Sequence, residues 1–127
     1  MDTIKVGQVW TSNRTATTPP LVCTIGAIDP AENNRSGEPI LSITVTPHPK
    51  AQQRGWPVVG HMPVTLRAFK RSDLTLHTQD APENPRFHAA YTAWRERYDT
   101  KLSGVFDASV TETYINIIGT ARSSMSA

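Results

Sequence analysis

The apolar residues of this chain change their period once. Up to about residue 79 they alternate with polar ones, most cleanly where Leu41, Ile43 and Val45 interleave with Ser42, Thr44 and Thr46; from Phe87 onward they recur at spacings of three and four. A period of two sends side chains to opposite faces of a strand, and a period near 3.6 gathers them on one side of a helix. The chain therefore reads as strands followed by helices. That order belongs to an α+β fold and not to a doubly wound parallel sheet, whose strands and helices alternate. The links between strands are short and polar. The expected architecture is a small, strongly bent antiparallel sheet or a five-stranded barrel, followed by two C-terminal helices laid against it.

The strands can be placed in more detail. "TIKVGQVWT" is β-rich, and its apolar phase shifts around Gly7, where a bulge is expected. "PLVCTIGAID" follows, opened by Pro19-Pro20 and closed by Asp29-Pro30, and a loop of turn-forming residues runs on to Pro39. The alternating strand at 41–46 is expected to be half-buried. Val58-Val59 and "LTLHT" supply two short strands, with one or two helical turns over Thr65 to Arg71 between them. In the second half, Asn84 caps a helix with Pro85 in its first turn, and Phe87, Ala90, Tyr91, Trp94, Tyr98 and Leu102 form its apolar stripe up to Gly104. Ser109 and Glu112 make a capping box for a second helix, whose stripe is Val110, Tyr114, Ile117 and Ile118. No break in composition separates two units. Residues 1–127 read as a single domain, mostly β over 1–79 and helical over 80–122, with 123–127 as a tail.

Several classes of function find no support. Cys23 is the sole cysteine of 127 residues, so the chain can form neither an internal disulfide nor a thiolate metal cluster. His48, His61, His77 and His88 lie too far apart in sequence for a spaced zinc motif, and no metal site is expected. The seven glycines never cluster as a phosphate-cradling loop requires, no serine stands in a Gly-x-Ser-x-Gly elbow, and no cofactor is implied. No stretch is apolar enough to span a membrane, and the first residues lack a basic region followed by an apolar one. A cytoplasmic location is expected.

The organised signal is charge. The net charge is only +2, yet Pro39 to Ser72 contains no Asp or Glu and holds Lys50, Arg54, Arg67, Lys70 and Arg71, while the rest of the chain carries eight basic and eleven acidic residues. On a short helix Arg67, Lys70 and Arg71 share a side, with Leu66 and Phe69 turned toward the core. Trp56 stands nearby in "QQRGWP". A basic surface with an aromatic beside it suits a nucleic acid or an acidic protein partner. The expectation is a non-enzymatic interaction module using Lys50, Arg54, Trp56, Arg67, Lys70 and Arg71; the bland alternative is a solvated helix face and a tryptophan folded back onto the sheet. In "GHMP", Gly60 and Pro63 fix the backbone around His61, which suits either a general acid or base or a half-buried ring bonded to a carbonyl in a turn. His48, between two prolines, reads as exposed loop.

"VGQVW", then "PPLVCTIGAID", a polar loop and "PILSITVTP", resemble the opening of the PemK/MazF-type growth-inhibitor toxins over residues 6–47. That resemblance implies an SH3-like barrel and, as the alternative function, an RNA-cleaving enzyme. An arginine near the first strands and a threonine or serine after the third would then do the chemistry, which falls on Arg14 and Thr46, with His61 as a further candidate. The chain departs from the family pattern in having no serine after Thr46 and in its two C-terminal helices.

Overall fold

The computed structural model describes residues 4–15, 18–34, 37–81, 85–100 and 104–126, with the backbone alone for 85–86 and 120–126. Five strands form one sheet: β1 (Val9–Thr11), β2 (Leu21–Asp29), β3 (Ile40–Pro47), β4 (Val59–Thr65) and β5 (Thr75–Thr78). Their order across the sheet is β4-β3-β2-β1-β5, and every neighbouring pair is antiparallel. Four helices complete the fold: α1 (Pro49–Gln53), α2 (Leu66–Lys70), α3 (Pro85–Asp99) and α4 (Val110–Ser126). The α+β expectation holds, and the sheet is open and not a barrel. β1 and β5 are three and four residues long, too short to curl round to β4. The outer edge of β4 instead meets the chain at Phe106, whose N–H donates to the Pro63 carbonyl at 2.9 Å and whose carbonyl accepts from Thr65 N–H at 3.0 Å.

Register explains why both faces of the sheet are covered. Trp10 lies opposite Cys23, Cys23 opposite Val45, Ile25 opposite Ile43 and Leu41 opposite Val64, so one face is a continuous apolar surface. It forms the main core with Phe69 of α2 and Val110, Tyr114 and Ile118 of α4. The other face holds Ile40, which packs with Trp94 and Tyr98 of α3. β3 is therefore buried on both sides, with Ser42 wholly inaccessible, where the alternation alone predicts a half-buried strand. Ser42 and Thr44 are tolerated there because their hydroxyls bond His61 and the Gly60 carbonyl, each at 3.0 Å.

Gly26 sets the approach of α3. The pairing of β2 with β3 shifts register between Ile25 and Ala27, and a Cβ built at Gly26 would run into the ring of Phe87. Only a glycine lets that ring lie on the strand.

Three boundaries differ from those the sequence suggests. β4 extends from Val59 through Gly60, His61 and Pro63 to Thr65 and is no two-residue strand, because Pro63 lacks only the N–H that a strand at the sheet edge leaves unpaired. α3 has its last helical residue at Asp99, where the Thr100 hydroxyl donates to the Glu96 and Arg97 carbonyls, so Gly104 is not its immediate cap. The backbone of α4 stays helical to Ser126, through the segment read as a tail. Asn84 and Leu102 lie outside the described residues.

Candidate nucleic-acid interface

Two connections meet at one end of the sheet. Leu21 at the start of β2 pairs with Pro47 at the end of β3, so the link before β2 and the link after β3 must lie side by side. His48 N–H donates to the Pro20 carbonyl at 3.1 Å and ties them together. In the first, the Thr15 and Thr18 hydroxyls are 2.6 Å apart, and Thr15 N–H donates to the Thr18 carbonyl at 3.0 Å. In the second, His48 is the N-cap of α1: its Nδ1 accepts from Lys50 N–H at 3.2 Å, and Pro49 occupies the first helical position. Arg54 caps the other end, and Gly55 turns the chain at a φ of 94°.

Trp56 then folds inward. Its indole stacks on the ring of Tyr114 with centroids 6.1 Å apart and planes inclined by 20°, while the Tyr114 hydroxyl donates to the Pro57 carbonyl at 2.7 Å. The tryptophan is thus anchored on α4 and still forms part of a surface cleft of about 400 Å³. Arg14, His48, Lys50 and Arg54 line the same cleft, together with Thr15, Thr18, Pro19, Pro20 and Ala51. Among the described residues, no carboxylate lies within ion-pairing distance of Arg14, Lys50 or Arg54.

The remaining basic residues are elsewhere. β4 carries the chain away from Trp56 along the full sheet edge, about 23 Å for seven extended residues, before α2 begins. There Arg67 donates to Asp107 at 2.7 Å and lies 3.6 Å from Glu38, and Arg71 donates to the Asp107 carbonyl at 2.7 Å. Thr65 also donates to the Asp107 carboxylate, at 2.6 Å. Hydrogen bonds from Thr65 and Arg67 hold that carboxyl below its usual range, and Asp107 in turn holds the Arg67 guanidinium more firmly charged. Lys70 stands at a smaller concavity formed with Ile4, Trp10, Phe69 and Leu74. The single basic surface expected from the acid-free run is therefore two groups at opposite ends of the sheet, and that expectation is corrected. Neutralisation of Arg67 and Arg71 comes from residues outside the run, which charge counting within it could not reveal.

The three residues of the enzymatic alternative lie in different settings. Arg14 lines the cleft; Thr46 pairs with Val22 inside the sheet and does not line it. His61 lies under α3, its ring 5.3 Å from that of Trp94, 5.8 Å from Phe87 and 6.1 Å from Tyr91. It sits in a strand, bonded to the Ser42 hydroxyl and not to a carbonyl in a turn, and burial pushes its pKa down to about 4. Burial also pushes the Cys23 thiol up to about 12, which leaves no thiolate for nucleophilic chemistry.

Sequence reasoning missed His48 as part of the cleft, and Arg14 entered only through the family resemblance. A signal for α1 exists in "PHPK", a capping residue followed by proline at the first helical position, but a five-residue helix has no periodicity to strengthen it. Comparison with protein-family models, with curated proteins and with solved structures gave no match. Among the described residues, no three potential metal ligands converge, and no helix is long and apolar enough to cross a membrane.

Proposed function

We propose that the chain is a non-enzymatic binding module whose partner is a nucleic acid, held at the cleft that Arg14 and Pro19-Pro20 line on one side and His48 to Trp56 on the other. One arrangement supports the reading: Arg14, Lys50 and Arg54, without carboxylate partners among the described residues, surround a concavity that Trp56 helps to line. Cations left unneutralised around a concave surface focus a positive field and attract phosphates. An indole among them offers an aromatic surface to a base, and an acidic protein segment would leave that surface unused. The cytoplasm suits such a module, whose one cysteine is buried in the core.

The test is fluorescence anisotropy with a labelled single-stranded oligonucleotide, comparing the parent with the Lys50→Glu, Arg54→Glu variant. Both side chains are exposed, so circular dichroism should show the variant folded. A loss of affinity of tenfold or more is expected. Equal binding by the two proteins would sink the reading, tighter binding to polyglutamate than to the oligonucleotide would move it to an acidic partner, and shortening of the oligonucleotide would make the protein an enzyme.

A further inference from the structure

The cleft is small for a site that tracks a polymer. Its volume of about 400 Å³ falls toward the lower end of small-ligand sites, which run from about 300 to 1,000 Å³, and it gives room for one nucleotide and not for a run of them. Three cations border that one seat. An internal phosphodiester brings a single negative charge to it. A terminal phosphate monoester brings about −1.5 to −2 at neutral pH, with three strong acceptor oxygens. Two guanidinium forks and an ammonium are better matched to the monoester, since each fork can engage two of its oxygens. His48 adds to the match: with Nδ1 accepting from Lys50 N–H at 3.2 Å, the neutral ring carries its proton on Nε2 and has one donor left to give.

The apolar part of the cleft is equally local. Trp56 is held by its stack on Tyr114, and Pro19-Pro20 supply rigid apolar surface beside the cations. A preorganised aromatic ring adjoining an anion seat fits a planar base joined to its phosphate through one sugar.

We infer that the cleft recognises a nucleoside 5′-monophosphate unit, a base carrying a terminal phosphate monoester, supplied either as a free nucleotide or as the phosphorylated end of a strand. The inference rests on the cleft chosen in the nucleic-acid reading above, cations beside an indole, and narrows its ligand from a strand to one nucleotide unit. Such a site gains nothing from duplex length and little from internal phosphates.

The experiment is isothermal titration calorimetry of the full chain with adenosine 5′-monophosphate, adenosine, inorganic phosphate, and one single-stranded oligonucleotide bearing either a 5′-phosphate or a 5′-hydroxyl. Adenosine 5′-monophosphate should bind at least tenfold tighter than adenosine or phosphate, and the phosphorylated strand at least tenfold tighter than its hydroxyl counterpart. Arg14→Ala, an exposed position, should erase the preference between the two strands. Equal affinity for the two strands overturns the inference and leaves the broader nucleic-acid reading standing. Binding of the mononucleotide without binding of either strand supports the inference with the free nucleotide as source and overturns the broader reading. Phosphate binding as tightly as the mononucleotide overturns the inference, because the base then contributes nothing. Absence of binding by both the mononucleotide and the phosphorylated strand overturns it as well.

Discussion

His61 shows how a single placement fixes a side chain's chemistry. Three aromatic rings and the Ser42 hydroxyl surround the imidazole, and loss of water disfavours its cation, so the folded-state pKa drops to about 4 from the ordinary 6.5. Between those values the unfolded chain binds a proton that the folded chain refuses. Stability must therefore fall as pH falls through that window, and the contribution of His61 is complete above about 6.5. The ring is only partly buried, so the loss is discounted for solvent screening to about 1–2 kcal/mol. Urea unfolding at pH 7 and pH 4.5 should show the parent losing that much more than His61→Gln, in which no proton is taken up. Equal losses would mean that His61 titrates alike in both states. "GHMP" makes the constrained backbone legible in the sequence. The partners of the ring are not legible, because Phe87, Tyr91 and Trp94 arrive on a helix 26 to 33 residues later.

At the scale of elements, α3 carries the clearest test of the packing. Trp94 is nearly buried, stacks on Tyr98 with centroids 5.1 Å apart, and donates its indole N–H to the Gly104 carbonyl at 3.0 Å. Trp94→Ala should cost about 3–5 kcal/mol in equilibrium unfolding, and a variant as stable as the parent would mean that α3 is not seated on β3 and β4. Gly26 and Phe87 offer a stricter check. Gly26→Ala should cost about 1–3 kcal/mol by overpacking, and most of that cost should vanish in a Phe87→Ala background, where the colliding ring is gone. Simple additivity of the two substitutions would rule out the contact. The stripes of α3 and α4 are legible because long amphipathic helices repeat their pattern over several turns, although Ala90, read into the stripe of α3, is exposed. The bulge at Gly26 is not, since its reason is a ring 61 residues away. Openness of the sheet is equally hidden: barrel closure depends on how far β1 and β5 extend, and strand ends are where local pattern is weakest.

For the whole molecule, topology decides what the charge asymmetry can do. The acid-free run from Pro39 to Ser72 folds as β3, α1, β4 and α2, which delivers its basic residues to opposite ends of a hairpin. One end keeps its charge exposed in the cleft; the other is tied to Asp107 and Glu38. At about 0.15 M salt the screening length is near 8 Å, well short of the roughly 23 Å spanned by β4, so the two ends should act independently. Reversal at the far end, Arg67→Glu with Arg71→Glu, sets new carboxylates beside Asp107 and Glu38 and should lower the melting temperature. It should change affinity for a single-stranded oligonucleotide by less than threefold. Reversal at Lys50 and Arg54 should do the opposite, leaving the melting temperature nearly unchanged and weakening binding at least tenfold. The salt dependence separates local from global electrostatics. Single strands contribute a slope of about 0.7 in log affinity against log salt for each phosphate neutralised, so three cleft cations allow at most about 2. The far-end variant should keep the parent's slope and the cleft variant should flatten it. Equal flattening by both would mean that the field of the whole molecule, and not the cleft, draws the nucleic acid.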